Sequence, residues 1–344
     1  MGSRWKTAAL CALSVALLTA CGQTERLQSE TPVEHTFTDV SVHDPAVVKG
    51  EDGAYYIFGS HLAVAKTEDL MNWEYINDGM KAHSSVIPDV YTAMAGAFAW
   101  SRSDTFWAPD VIALQDGKYH MYYCNCQGSE PQSCTGIAVS DAVAGPYVNQ
   151  GLFLYSGAGA DEMNGFDSVY QATRDPNAVD PCVFFDAQGR LWMIYGSYSG
   201  GIFAKELDPS TGLPLDSSDY GTKLLGGSHL RIEAPYVVYN PDTGYYYLFL
   251  SFGGLDSDGG YNVRVVRSEN PDGPYYDPMG QDMTGCKGPS GSTFSDATAA
   301  NYGAKLMGGY RFQWQEGELG EDRQGYLSPG HNSCLYDEDR KSVV

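Results

Sequence analysis

Three acidic residues occupy corresponding places in a repeated sequence pattern. Asp44 and Asp180 stand directly before a proline, and Glu233 stands two positions before Pro235. Carboxyl groups held near each other can divide acid–base work, one protonating a leaving group and the other activating water. A single Asp-Pro pair is more often a turn, so chemistry is expected only if the fold brings the three acids together.

The repeated pattern predicts the elements that would do so. Residues 177–201 contain an Asp-Pro opening, a strand, a turn and a second strand, both strands being β-branched or aromatic. Similar copies open at His43, Trp107 and Glu233, and a fifth opens at Gly330. Short strands repeated in this way predict an all-β, five-bladed β-propeller. Because the innermost strand of each blade lines the axis, the three acids at the strand openings are expected to meet across one cavity.

Asp110 also belongs to one of these openings, but it follows Pro109 instead of preceding it. It therefore need not face the same way as the three acids. The fifth blade is expected to be truncated at the C-terminus, because few residues follow its first strand.

Length and charge limit the number of domains and the kinds of partner that fit this sequence. The unbroken repeat favours one propeller domain, assigned to residues 39–344, over two smaller domains. Acidic residues outnumber basic ones 43 to 21, which gives a formal charge of −22. A nucleic-acid partner is excluded because it would require clustered Lys and Arg. A neutral or cationic substrate is compatible with this charge.

Residues 1–21 are predicted to be a signal peptide. The apolar run over residues 8–18 follows two basic residues and is too short to span a bilayer stably. The residues LTAC at 18–21 resemble the lipobox of bacterial lipoproteins, which implies acylation of Cys21 and a polar tether over residues 22–38. The protein is then exported and touches the cell-envelope membrane only through its lipid. An ordinary secretory signal is the alternative.

The cysteines after Cys21 do not define a disulfide pattern. Export makes disulfides possible, but six thiols allow 15 pairings. Three of them cluster loosely without a nearby histidine, so a zinc site is not expected. A local disulfide and buried thiols both stay open. The six are Cys124, Cys126, Cys134, Cys182, Cys286 and Cys334.

Seven motifs, in order along residues 42–339, resemble glycoside hydrolase family 43, and within it the endo-α-1,5-L-arabinanases most closely. They are HDP at 43–45, WAPDV at 107–111, NAVDP at 177–181, YGSYSGGIF at 195–203, RIEAPY at 231–236, YYYLFLSFGGLD at 245–256 and SPGHNS at 328–333. The resemblance implies an inverting enzyme that cleaves internal α-1,5-linked arabinofuranosyl bonds of arabinan, a pectin side chain of plant cell walls. A monomer is expected.

The same resemblance implies roles for the three acids. Asp44 would be the general base and Glu233 the general acid. Asp180 would raise the pKa of Glu233 and orient it, because a nearby negative charge disfavours a second one.

Further residues are implied as substrate or metal contacts. His331 matches a histidine beside a bound calcium ion, and waters would fill the rest of the shell because calcium prefers 6–8 oxygen ligands. Two departures from the family pattern are Gln127, where an aromatic residue is usual, and Ala234, where glycine is usual. The implied substrate contacts are His43, Trp107, Gly128, Asn177, Ala178, Val179, Ser197, Tyr198 and Ser199.

Two other functions remain open at this stage. An exo-acting α-L-arabinofuranosidase or β-xylosidase of the same family would differ in how open the funnel is, which the loops over residues 80–106 and 157–175 would control. A non-catalytic carbohydrate-binding propeller is the other alternative. The presence of all three acids speaks against it.

Overall fold

The computed structural model describes residues 37–256, 260–289, 298–309, 317, 326–337 and 342–343. The predicted signal peptide, its Cys21 and nearly all of the tether lie outside these residues, so they stay predictions. Within the described ranges, no helix is both long and apolar enough to cross a membrane.

Four antiparallel four-stranded sheets form the described fold, and in each the strands pair in chain order. The first blade has β1 (Ala46–Lys49), β2 (Tyr55–Gly59), β3 (Ala63–Thr67) and β4 (Glu74–Asp78). The second has β5 (Asp110–Ala113), β6 (Tyr119–Cys126), β7 (Ser133–Ser140) and β8 (Val148–Ser156). The third has β9 (Cys182–Phe185), β10 (Leu191–Tyr195), β11 (Ile202–Leu207) and β12 (Thr222–Leu225). The fourth has β13 (Ile232–Asn240), β14 (Tyr245–Phe252), β15 (Asn262–Ser268) and β16 (Ala304–Met307).

The first strand of each blade lies next to the first strand of the following blade. β1 contacts β5, β5 contacts β9, and β9 contacts β13. These four strands therefore surround a common axis, as the repeat predicts for a propeller.

Buried side chains from adjacent blades pack together. Strands of the second blade show why: successive side chains of a strand point to opposite faces. Met121 and Tyr123 of β6 belong to the cluster shared with the first blade, whereas Tyr122 belongs to the cluster shared with the third. A further cluster joins the third and fourth blades, with Ile194 and Leu248 both fully buried. The apolar residues of each sheet thus hold neighbouring blades together and fix the openings of the inner strands.

Short helices lie in the connections between blades. The long excursion predicted over residues 80–106 contains α1 (Val90–Ala93) and α2 (Ala95–Ser101), and the one over residues 157–175 contains α3 (Ala160–Asn164). Two single 3₁₀ turns, Ser60–Leu62 and Met283–Gly285, complete the helical residues described.

The all-β propeller is the fold that the sequence predicts, but five blades are not confirmed. In the described part of the chain the residues after the fourth blade form only a two-stranded ladder, β17 (Tyr336–Asp337) with β18 (Ser342–Val343). Four complete blades are therefore observed.

The C-terminal segment, residues 326–334, is held against the fourth blade. The hydroxyl of Tyr236 donates to the carbonyl of Cys334 at 2.9 Å, and the backbone N–H of His331 donates to Ser251 Oγ at 2.8 Å. Ser328 Oγ donates to the carbonyl of Asp256 at 2.6 Å. These hydrogen bonds place the SPGHNS motif at the end of the blades where the inner strands begin.

Candidate active site

A cavity of about 440 Å³ opens where the inner strands begin, and residues from all four blades and the C-terminal segment line it. Asp44, Asp180 and Glu233 all face this cavity. They come from the first, third and fourth blades, so the fold brings together three acids that are far apart in sequence.

The residue before the proline takes the same left-handed backbone conformation at all three acidic openings. Asp44 and Asp180 have φ angles of 53° and 54°, and Ala234, directly after Glu233, has 54°. All three precede proline, and residues other than glycine adopt this left-handed region at a cost of roughly 1–2 kcal/mol. At Glu233 the pairing of β13 with β14 also shifts register, as in a β-bulge. Strain of this kind persists where the surrounding structure enforces it, often at functional sites.

Asp44 is surrounded by hydrogen-bond donors. Its Oδ2 lies 2.7 Å from His43 Nδ1 and 2.5 Å from Ser60 Oγ, and its Oδ1 lies 3.1 Å from His331 Nδ1. Burial opposes the charged form, but these bonds from His331, His43 and Ser60 outweigh it and hold the pKa of Asp44 well below its usual range. Asp44 is therefore ionised at any working pH.

His331 is the cationic partner of this carboxylate. Burial lowers its pKa, but the hydrogen bond to Asp44 and the negative charges of Asp180, Asp44 and Glu233 outweigh that effect and raise the pKa to about 9. Its side chain is only 17 % exposed, whereas that of His43 is 56 % exposed. Water can thus take over the hydrogen bond from His43 to Asp44 more easily than the one from His331.

Asp180 lies deeper and has fewer donors. Burial raises its pKa, the positive charge of His331 opposes the rise, and the charges of Glu233 and Asp44 add to it. Its Oδ2 accepts the backbone N–H of Ala234 at 3.1 Å. This hydrogen bond therefore fixes the peptide group that links Glu233 to Ala234.

Each oxygen of the Glu233 carboxyl group has a hydroxyl partner. Ser197 Oγ donates to Oε2 at 2.7 Å, and the Tyr261 hydroxyl donates to Oε1 at 2.8 Å. Ser197 belongs to a motif that the sequence singles out, but Tyr261 does not. No motif marks Tyr261 or Ser60, and only their position at strand ends facing the axis could have indicated them.

Trp107 forms one wall of the cavity. Its indole N–H donates to the carbonyl of Cys126 at 2.9 Å, and its ring centroid lies 5.5 Å from that of His61. Gly128 faces it: a Cβ on Gly128 would lie 3.8 Å from the indole. The ring is thus held in place beside the open space.

Asn177 is anchored by two buried hydroxyls. Its Oδ1 contacts Ser133 Oγ and lies 3.4 Å from Ser156 Oγ. The predicted contact residues that line the cavity, besides Trp107 and Gly128, are His43, Asn177, Val179, Ser197, Tyr198 and Ser199.

Ala178 is the exception among the predicted contacts. It is fully buried and packs in the cluster between the second and third blades instead of lining the cavity. Its backbone N–H donates to Ser133 Oγ and Ser156 Oγ at 2.9 and 3.0 Å. Ala178 lies at a bend ahead of β9, and the two hydroxyls fix its backbone so that Asn177 and Val179 reach the cavity while its own side chain packs between the blades.

Asp110, whose direction the sequence leaves open, does not line the cavity. It is buried and accepts the backbone N–H groups of Val111 and Val183 at 2.9 and 2.5 Å. It therefore joins β5 to β9.

The described residues do not form a calcium cage. No group of three or more His, Cys, Asp or Glu side chains among them is placed to hold a metal ion. Nδ1 of His331 is already bonded to Asp44. Calcium prefers oxygen ligands, so the donor set present fits only an ion whose shell is completed largely by water, and no chemical step is derived through it.

All six cysteines after Cys21 are free thiols, and five of them are buried. Of the two alternatives that the sequence leaves open, buried thiols are observed.

Three acidic residues lining the axial cavity of a propeller supply the acid and the base that hydrolysis of a glycosidic bond needs. The family model for glycosyl hydrolases family 43 matches residues 34–296. This chain belongs to that family, as the motifs predict.

Two curated relatives are the extracellular endo-α-(1→5)-L-arabinanase 2 of Bacillus subtilis and the extracellular endo-α-(1→5)-L-arabinanase of Thermotoga petrophila. They are 51% and 47% identical over 94% and 88% of this chain. The aligned regions make up 67% and 63% of the relatives, so the chain spans about two thirds of their length. A solved family 43 structure from Bacillus licheniformis matches with a TM-score of 0.83 and 51% identity, over 90% of this chain and 67% of that one.

Proposed function

We propose that this protein is an inverting endo-α-1,5-L-arabinanase that cleaves internal arabinofuranosyl linkages of arabinan. The observation that carries the proposal is the convergence of Asp44, Asp180 and Glu233 on one cavity. The two relatives described above, both named endo-arabinanases, support the substrate and the endo mode of action.

In the proposed reaction, Asp44 acts as general base. It takes a proton from a water molecule as the water oxygen attacks the anomeric carbon. Glu233 gives its proton to the leaving glycosidic oxygen as the bond between that oxygen and the anomeric carbon breaks. The products are a shortened chain with inverted configuration at the new reducing end and a chain with a free hydroxyl. Asp44 is then protonated and Glu233 ionised, and exchange with water restores both.

Asp180 contributes without exchanging a proton with the substrate. It holds the N–H of Ala234, which fixes the backbone next to Glu233. Modulation of the acid strength of Glu233 by Asp180, which the family resemblance implies, remains part of the proposal.

The proposal also covers the finer points of architecture and location. The ladder of β17 and β18 would begin a fifth blade. The protein would be exported, in line with the extracellular relatives, as a monomer, and the lipid on Cys21 would anchor it to the cell envelope. Globomycin-sensitive processing and labelling by a radioactive fatty acid, both lost in Cys21→Ala, would test the anchor.

Product analysis on linear debranched arabinan tests the main proposal. We expect mixed oligosaccharides early in the reaction, and little activity on nitrophenyl α-L-arabinofuranoside. Glu233→Ala and Asp44→Ala should each lower turnover at least about 10³-fold while circular dichroism stays unchanged. Asp242→Ala, an exposed acidic residue, is the matched control. Arabinose as the only early product would favour the exo alternative, and binding without products would favour a non-catalytic propeller.

Calcium is proposed as a resident ion near His331, held largely by water. Binding through the ring would require His331 to lose its proton, because an imidazolium has no free lone pair. When bound, the ion would add positive charge that helps to keep nearby carboxylates ionised. Elemental analysis of the purified protein tests this independently of activity. One calcium per chain in the wild type and none in His331→Ala would support the ion, and calcium-free wild-type protein that is fully active would contradict it.

A further inference from the structure

Tyr261 connects parts of the site that lie far apart in the sequence. Its hydroxyl donates to Glu233 Oε1 at 2.8 Å and is also hydrogen-bonded to Ser251. Ser251 Oγ in turn accepts the backbone N–H of His331 at 2.8 Å. A chain of hydrogen bonds thus runs from the backbone of the histidine that binds the proposed base to the side chain of the proposed acid.

The C-terminal segment also packs directly on the Tyr261 ring. A Cβ added to Gly330 would lie 1.8 Å from Cε1 of that ring, so only glycine fits there without movement. Tyr261 is 4% exposed and Ser251 is fully buried. The ring and its hydroxyl are therefore held in one place.

The chain has a direction. A backbone N–H can only donate, so Ser251 Oγ accepts from His331 and has its own proton to give to Tyr261. The proton of Tyr261 is then directed to Glu233 Oε1, as observed. Burial raises the pKa of Tyr261 well above its ordinary value, and the charge of Glu233 raises it further. The phenol therefore remains a donor throughout the working pH range.

This direction decides which oxygen of Glu233 can carry a proton. Oε1 already accepts the Tyr261 proton and is the less favourable place for a second one. Oε2 lies 2.7 Å from the hydroxyl of Ser197, which can act as donor or acceptor, so this oxygen can carry the proton. The two oxygens are thus chemically distinct.

Resting on the function proposed above, we propose that Tyr261 is a positioning residue for the general acid. By occupying Oε1 it places the transferred proton on Oε2 and stabilises the carboxylate that forms when the proton leaves. As the bond from the anomeric carbon to the leaving oxygen breaks, that oxygen takes the proton from Oε2. The bond from Tyr261 then becomes one to a full negative charge, and such hydrogen bonds are about twice as strong as neutral ones.

The bond from Tyr261 strengthens only as the proton leaves Glu233. It therefore lowers the activation barrier of bond cleavage without tightening substrate binding. Losing it should reduce kcat and leave KM nearly unchanged. The loss should also depend on the leaving group, since a good leaving group departs without an acid.

The test compares two substrates with Tyr261→Phe, which keeps the ring against Gly330 and removes the hydroxyl. On linear arabinan oligosaccharides we expect kcat to fall about 10- to 100-fold with KM within about twofold. On 2,4-dinitrophenyl arabinotrioside, whose leaving group needs no proton, kcat should stay within about threefold of the wild type. Tyr247→Phe in the same blade, whose hydroxyl contacts Thr243 Oγ1, should change neither.

Ser251→Ala is the second variant, because it breaks the chain one step earlier. We expect kcat of this variant to fall on arabinan oligosaccharides and not on the dinitrophenyl substrate, by a smaller factor than in Tyr261→Phe. An equal loss on both substrates in Tyr261→Phe, or no loss on either, would overturn the inference while leaving the hydrolase assignment intact. Absence of arabinan hydrolysis by the wild type would overturn the proposed function, and this inference with it.

Discussion

Nδ1 of His331 lies 3.1 Å from Oδ1 of Asp44, and this contact joins the C-terminal segment to the opening of the first blade. Neither residue's local sequence indicates the other as its partner. The pair places a buried positive charge among three carboxylates. Burial opposes both charges. The pair, together with the bonds from His43 and Ser60, nevertheless depresses the pKa of Asp44, and together with the charges of Asp180 and Glu233 it raises the pKa of His331 to about 9.

Replacing His331 by Ala should therefore weaken the base. A charge-assisted hydrogen bond is lost and Asp44 then protonates more readily, so we expect kcat/KM to fall about 10- to 100-fold. The acidic limb of the pH–rate profile should move to higher pH. His43→Ala is the comparison and should cost less, because that ring is largely exposed. If removing calcium from the wild type reproduced the whole effect, the ion and not the hydrogen bond would be responsible.

Ala234→Gly should stabilise the protein. The φ angle of 54° at Ala234 is strained for alanine and free of strain for glycine. After allowing for the greater flexibility of glycine in the unfolded chain, we expect a gain of about 0.5–1 kcal/mol in the free energy of unfolding, measured by urea denaturation. Ala204→Gly, the same change within β11, should be destabilising. A loss of stability in Ala234→Gly would show that the Ala234 side chain contributes packing that outweighs the strain.

Asp110 should make stability depend on pH. Burial raises its pKa to about 7, although the N–H groups of Val183 and Val111 favour its charged form. In the unfolded chain the pKa is about 3.9. The folded protein therefore holds a proton that the unfolded chain has lost over this range, so the contribution to stability is full below about pH 4 and is lost as pH rises towards 7.

The measurement is urea unfolding of wild type and Asp110→Asn at several pH values. We expect the wild type to lose, relative to the variant, on the order of a few kcal/mol between pH 4 and 7. The slope is the informative quantity, because an amide cannot accept both backbone N–H groups and the variant starts from a different baseline. Parallel curves would contradict the prediction, as would an equal effect from exposed Asp242→Asn.

Trp107→Ala should weaken substrate binding more than catalysis. The indole forms a cavity wall and is fixed by Cys126 and His61, so it offers a preordered apolar surface to a sugar ring. We expect KM for arabinan oligosaccharides to rise about 10-fold, as for loss of an aromatic contact of roughly 1.5 kcal/mol, with kcat changed less. Trp107→Phe keeps a ring and should be intermediate. An unchanged KM in both variants would indicate that Trp107 packs in the wall without touching substrate.

Much of the site was predictable because it depends on repetition. The strand openings recur at the same point of each blade, so Asp44, Asp180 and Glu233 could be placed at one end of the axis before any coordinates. The same reasoning left the direction of Asp110 open, and the structure buries it between β5 and β9. Ala178 was expected at the cavity because a motif names consecutive residues, whereas the bend ahead of β9 buries its side chain between two blades.

The amino-acid sequence by itself determined the repeat, the turn and strand residues of each blade, the family, and the identity of three acids at corresponding positions. Only the tertiary structure decided which groups contact those acids. His331, Ser60 and Tyr261 reach them from other elements through packing between blades, and no local pattern records such contacts. The strength of a base or an acid depends on those neighbours and on burial, so the chemistry of each carboxyl group is a property of the folded chain.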